Sequence, residues 1–163
     1  MRRLDDLLAN NEAYAAGFEA GGLARKPARR LAIVTCMDAR VDPVAALGLR
    51  PGDAHVIRNA GAVITEAEIR ALAVSQRVLG TRDVLVVMHT DCGMRGLDAR
   101  ELRRELEAET GVRPDWEDVP MHTPEDDART AVERIRSSPF LDHEGAVHGL
   151  VYAVETGRLR VVA

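Results

Sequence analysis

Apolar and polar positions along this chain separate short strands from helices. Leu31 to Thr35 and Val84 to Met88 are almost unbroken apolar runs. The second is the pattern of a central parallel strand covered on both faces. Ala54 to Ile57 reads as a further strand, and Ala146 to Val154 with Leu159 to Val162 read as a hairpin around Thr156-Gly157. Helical signals fall between them. Asp42 caps a short helix with Pro43 at its first position and Gly48 past its end. Arg50-Pro51-Gly52-Asp53 is turn chemistry, and Arg58 to Ala62 reads as a loop. Thr65 and Glu68 form a capping box for a helix to about Leu79, with Ile69, Leu72, Ala73, Gln76 and Leu79 on one face and Gly80 as its stop. A helix, or a pair, follows Gly93 as far as about Thr110, and Gly111 ends it. Residues 112 to 123 form an irregular linker, after which Thr123-Pro124 caps a helix to about Arg136.

This order predicts an α/β fold: a mostly parallel central sheet with right-handed crossovers, flanked by helices and closed by an antiparallel edge strand. Residues 3 to 19 stand apart. Leu4, Leu7, Leu8, Tyr14, Ala15 and Phe18 make an irregular apolar stripe on a helix ended by Gly21-Gly22. A helix ahead of the first strand has no place in the sheet, so it is expected to extend onto a partner subunit. The expected organisation is one domain over residues 1–163, with an N-terminal helical arm at 1–30 and an α/β core at 31–163.

Composition narrows the picture. A chain of 163 residues fits one domain and buries roughly 70% of its unfolded surface without staples. Aromatic residues are only 3%, so the core must be built from Ala, Val, Leu and Ile. A net charge of -4, with arginines scattered among acids, gives no footprint for nucleic acid. No apolar run approaches the ~20 residues of a membrane span, and the start lacks a signal-peptide core. The expected compartment is the cytoplasm, where the two cysteines stay reduced.

The two cysteines carry the chemistry. Cys36 opens Cys36-Met37-Asp38-Ala39-Arg40 at the end of one strand, and His89-Thr90-Asp91-Cys92-Gly93 follows another. Sites in open α/β sheets form beyond the carboxyl ends of strands. Cys36 and His89 are expected one or two residues past such ends. Cys92 precedes a predicted helix, whose N-terminus lowers a thiol's pKa. Two thiolates and an imidazole suit a tetrahedral zinc with one place left open. His-x-x-Cys alone is a weak signal, since buried free cysteines are commonly inert small hydrophobes. Asp38 and Arg40 strengthen it, because a carboxylate and its bidentate partner have no packing rationale there.

Those two loops, together with Arg58-Asn59-Ala60-Gly61 and the terminal Gly149-Leu150-Val151-Tyr152 through Thr156-Gly157, resemble the signature segments of the β-class carbonic anhydrases, in the family's order. The similarity spans roughly residues 30 to 160 and is strongest to the short members. It implies one zinc per subunit held by Cys36, His89 and Cys92. Asp38 would either complete the metal's ligand set or swing to Arg40. The implied activity, that of a lyase, is reversible hydration of carbon dioxide to bicarbonate and a proton by zinc-bound hydroxide, gated by Asp38 and Arg40. It also implies a homodimer or higher homo-oligomer.

Arg50 stands where many plant-like members carry a substrate-holding Gln and is left out of the site. His55 stands where an aromatic is frequent and reads as a packing or surface residue, with proton relay near the mouth as the alternative. His122, His143 and His148 match no motif and read as surface or structural. Two other readings keep the metal: a carbonyl sulfide or carbon disulfide hydrolase on the same fold, and a non-catalytic zinc- or bicarbonate-binding module. A redox pair would leave His89, Asp38 and Arg40 unexplained.

Two thiolates offset more of the zinc's charge than neutral histidines do, which raises the pKa of its water above the value of about 7 seen with three histidines. Hydration activity is therefore expected to rise from neutral towards mildly alkaline pH in stopped-flow assays. A flat profile between about pH 6 and about pH 9 contradicts this.

Overall fold

The computed structural model describes residues 2–116 and 118–163; Met1, and Glu117 within the 112–123 linker, lie outside the described residues. Among the described residues ten regular elements follow one another in the order helix α1 (Arg2–Ala16), strand β1 (Leu31–Cys36), α2 (Pro43–Ala46), β2 (Ala54–Asn59), α3 (Glu66–Arg77), β3 (Asp83–His89), α4 (Ala99–Thr110), α5 (Pro124–Ser137), β4 (Val147–Ala153) and β5 (Arg158–Val161). The five strands form one sheet in the order β2-β1-β3-β4-β5. The first four run parallel, and β5 pairs antiparallel with β4 at the edge. The expected α/β architecture is present.

Strand alternation divides the core in two. Ala32, Val34 and Cys36 of β1 share one face with Val84, Val86 and Met88 of β3, and pack with Leu72 of α3 and Val132 and Ile135 of α5. Leu72 and Ile135 are 0% and 1% exposed, and burying each side chain contributes about 1.5–3 kcal/mol. The opposite face holds a smaller cluster of Ile33, Val87 and Leu150, edged by half-buried Leu31, Leu85, Tyr152 and Leu159. Coverage is therefore unequal. The expectation of β3 fully covered on both faces holds on the α3 and α5 side and is weaker on the other.

Several boundaries shift from the sequence reading. β1 runs through Cys36 and β3 through His89, so both residues end their strands rather than follow them. Arg58 and Asn59 belong to β2, where Asn59 lies opposite Cys36, and only Ala60–Ala62 makes a short 3-10 turn. The ladder explains this: parallel pairing carries the polar residues along with the apolar ones. α1 stops at Ala16, ahead of the Gly21-Gly22 signal. A single helix follows the His89–Cys92 loop, and it begins only at Ala99, capped by the Asp98 carboxylate.

The start of α3 bears out its capping box. Thr65 Oγ1 accepts from Ala67 N at 3.2 Å, while Glu68 reaches back to Thr65 N at 2.9 Å and Thr65 Oγ1 at 2.5 Å. Burial pushes the Glu68 carboxyl up, yet its hydrogen bonds, led by that from Thr65, outweigh this and hold it below the usual range. Such a depressed carboxyl stabilises the fold above its unfolded pKa, and that contribution is lost as pH falls through the folded value. Thr65→Ala removes both the cap and a partner of nearly buried Glu68. The variant is expected to lose about 1–2 kcal/mol in denaturant unfolding at neutral pH, with the deficit shrinking in acid. Unchanged stability contradicts this role.

Candidate metal centre

Parallel pairing of β1 with β3 sets the site. The two strands run side by side with Thr35 opposite Val87, and the Thr35 hydroxyl, wholly buried, donates to Val87 O at 2.8 Å. Their carboxyl ends therefore present Cys36 and His89 together. The turn after β3 brings Cys92 back to them. The potential ligand atoms of Cys36, His89 and Cys92 lie within 4.8 Å of one another, with the two sulfurs 4.0 Å apart. The three residues are 3%, 2% and 7% exposed.

Neighbouring groups aim these side chains. His89 Nδ1 bonds to Thr90 O at 2.8 Å, which assigns the proton to Nδ1 and leaves the Nε2 lone pair facing the sulfurs. That Nε2 is buried and has no hydrogen-bond partner among the described residues. A buried orphan acceptor is costly unless something binds it. Gly61 N donates to Cys36 Sγ at 3.4 Å. Gly61 has φ +87°, the left-handed region that favours glycine, so the backbone turn that brings its N–H to the Cys36 sulfur suits glycine. Asn59 braces this turn, accepting from Val63 N and donating to Val63 O. Arg58 ties β2 to the first loop, donating to Cys36 O, Asp38 O and Val41 O at 2.7–2.9 Å.

Burial raises the Cys92 thiol above its ordinary pKa, with neighbouring Cys36 adding to the rise against a backbone hydrogen bond from Met94. The sequence expectation of a thiol lowered by a helix N-terminus is corrected: residues between Cys92 and Asp98 form turns, and α4 starts too far along. Two buried thiols and an unpartnered imidazole nitrogen instead fit a soft divalent cation, which stabilises thiolates that burial alone disfavours. The donor set is that of zinc.

Asp38 stands beside this group rather than within it. Its carboxylate accepts from Arg40 N at 2.9 Å, Nε at 3.0 Å and Nη2 at 2.8 Å, and its Oδ2 lies 3.9 Å from His89 Nε2. The Arg40 side chain, then its backbone N–H, holds the Asp38 carboxyl far below the usual carboxylate range. Arg40 is in turn bound by Asp91 through Oδ2 and the main-chain carbonyl, each at 2.8 Å. Asp91 and Arg58 had no part in the sequence reading of the site. A hint existed only in their membership of the quoted motifs.

The other noted positions lie elsewhere. Arg50 is an exposed turn residue bonded through its N–H to Asp53, and His55, near the start of β2, bonds to Ser75 at 2.8 Å. His55 is therefore a packing residue remote from the carboxyl ends of the strands. His122, His143 and His148 are exposed.

The family model for carbonic anhydrases matches residues 31–116. β-Carbonic anhydrase 1 of Mycobacterium bovis is 46% identical over 158 residues, covering 97% of this chain and 96% of that protein. A carbon disulfide hydrolase from an Acidianus strain is 33% identical, covering 81% of this chain and 76% of its own length. Among solved structures, a carbonic anhydrase from Streptococcus mutans superposes with a TM-score of 0.91 at 36% identity, covering 100% of this chain and 99% of that one.

Zinc at this centre is expected at one per chain by elemental analysis, and Cys36→Ser should abolish it. At free metal a thousandfold above its dissociation constant, binding contributes about 4 kcal/mol, so chelation should lower Tm by about 8–16 °C. A Tm indifferent to chelation of a zinc-loaded sample contradicts a metal held by these buried groups.

Proposed function

The chain belongs to the β-class carbonic anhydrases, and on that premise we propose that Cys36, His89 and Cys92 hold one zinc ion at which carbon dioxide is hydrated reversibly to bicarbonate and a proton. The observation that carries this reading is the buried Cys36–His89–Cys92 group beside a carboxylate already engaged by Arg40. Zinc, when bound, supplies a Lewis acid that makes water acidic enough to serve as a nucleophile near neutral pH.

The protein's own groups do the rest. Thr90 O fixes the His89 tautomer, and Gly61 N–H steadies one sulfur. Asp38 stays ionised because Arg40 saturates it with charge-assisted hydrogen bonds. An ionised Asp38 would accept an O–H from a water held beside it, orienting that water's lone pair towards carbon dioxide. With its carboxylate engaged by Arg40, Asp38 would leave Cys36, His89 and Cys92 to hold the metal; released from Arg40, it would be available as a further ligand. The substrate is small and apolar. Its approach is assigned to the cavity of about 840 Å³ lined in part by Ala60, Val63, Met94, Leu97 and Met121, since Ala60 adjoins Gly61, whose N–H donates to the Cys36 sulfur, and Met94 follows Cys92 by two residues.

A homo-oligomer completes this reading. Leu4, Leu7, Leu8, Tyr14 and Phe18 are all between 49% and 61% exposed, an apolar density unusual for a free surface. The thinly covered face of the sheet supports a partner's arm lying across it. Residues 1–30 are thus proposed as an arm and 31–163 as the zinc-binding core of one domain. Among the described residues no helix is long and apolar enough to cross a membrane, and a cytoplasmic setting rests on the two free thiols. Carbon disulfide hydrolysis is the second reading, favoured by the 33% identical relative. The higher identity to β-carbonic anhydrase 1 places it second.

Asp38→Ala is expected to lower kcat for carbon dioxide hydration by ~100-fold or more while zinc content is unchanged, the scale of a lost proton-handling group. Full activity in that variant contradicts the assigned role. Wild-type turnover of carbon disulfide without hydration of carbon dioxide would select the second reading.

A further inference from the structure

Asp91 adopts φ +50°, in the left-handed region that Asp and Asn tolerate better than other residues with side chains. It is one of three non-glycine residues with positive φ among those described. Strained backbone at a functional site persists when surrounding contacts over-determine it. Here the contacts converge on a single group. The Asp91 carbonyl accepts from Arg40 Nη2, and its Oδ2 accepts from Nη1, each at 2.8 Å.

The same guanidinium grips Asp38 on its other edge, through Nε at 3.0 Å and Nη2 at 2.8 Å. Arg40 is 47% exposed and Asp38 16%. A flexible, half-exposed arginine loses side-chain entropy when it is held in one rotamer. The acceptors on Asp91 offset that loss. Asp91 lies between His89 and Cys92, so one loop supplies two candidate ligands and also the anchor for Arg40. Asp38 Oδ2 is 3.9 Å from His89 Nε2, so the carboxylate held by Arg40 borders the candidate ligand group.

We propose that Asp91 is a positioning residue that fixes Arg40 in the orientation from which Arg40 holds Asp38 clear of the Cys36–His89–Cys92 centre. The proposal rests on the zinc reading given above. A competing effect is that the Asp91 charge shares Arg40 with Asp38. The Asp91 side chain is 74% exposed, so solvent and salt weaken both that competition and the Oδ2 contact, while the direction in which the two acceptors hold the guanidinium is set by their geometry.

The test compares Asp91→Gly, Asp91→Asn and Arg40→Lys in the zinc-loaded protein. Glycine relieves the positive φ, so Asp91→Gly should unfold at the wild-type Tm or above. Its kcat/KM should nevertheless fall roughly two- to five-fold, the scale of one exposed ion pair. Asp91→Asn keeps the backbone tolerance and an acceptor oxygen, and should recover most of the loss. In an Arg40→Lys background, Asp91→Gly should add nothing further, since the ammonium cannot span both partners.

Crystal structures of the zinc-loaded proteins supply the readout independent of turnover: Asp38 on Arg40 in the wild type, and Asp38 displaced towards the metal in Asp91→Gly. Asp38 still seated on Arg40 in that variant overturns the proposal. So does an Asp91→Gly defect of equal size in the Arg40→Lys background. If the wild type binds zinc but does not hydrate carbon dioxide, the functional reading fails, while the crystallographic comparison still decides the role of Asp91.

Discussion

Two sulfurs 4.0 Å apart and an unpartnered imidazole nitrogen, all buried at the ends of adjacent strands, are the constraint on which the rest of the site depends. As neutral groups they leave a buried acceptor unsatisfied, and as thiolates they repel in a medium that disfavours charge. A soft dication reconciles all three. The parallel pairing of β1 with β3 imposes the proximity, and Thr35, Asn59, Gly61 and Thr90 hold its geometry. The fold thus carries a local cost that binding of the metal relieves.

Asp38 and Arg40 distinguish this arrangement from a closed structural site. A structural zinc fills its four places with thiolates or imidazoles. Here the nearest additional carboxylate is engaged by a guanidinium that is itself held from the far side by Asp91. The chain of contacts Asp91–Arg40–Asp38 gives the carboxylate a defined place beside the metal group, near enough to act on a water there. The same geometry would let one side-chain movement bring Asp38 into the ligand set of a metal held by Cys36, His89 and Cys92.

Much of this was legible in the sequence because apolar runs announce central strands and sites gather at their carboxyl ends. Cys36 and His89 end β1 and β3, Asp38, Arg40 and Cys92 lie in the loops that follow them, and the Thr65–Glu68 box marked the start of α3. Strand termini were less legible. Hydrophobicity fades at Cys36 and at Arg58-Asn59, but the ladder continues because backbone pairing is indifferent to side-chain polarity. The environment of Cys92 was misread because Gly93 and Gly96 allow tight turns where helical pattern alone extended α4 backwards. The contacts of Arg58 and Asp91 join residues 17 to 51 positions apart, and local pattern carries no signal for them. The apolar stripe of α1 was visible, but only the structure shows it without cover from its own chain.

The most direct test is stopped-flow hydration of carbon dioxide on one sample, taken through metal analysis, chelation and zinc restoration. Activity that falls in proportion to zinc on chelation and returns with it is the expected result. Stoichiometric zinc without hydration at any step would contradict the enzymatic account and leave a metal-binding protein in its place.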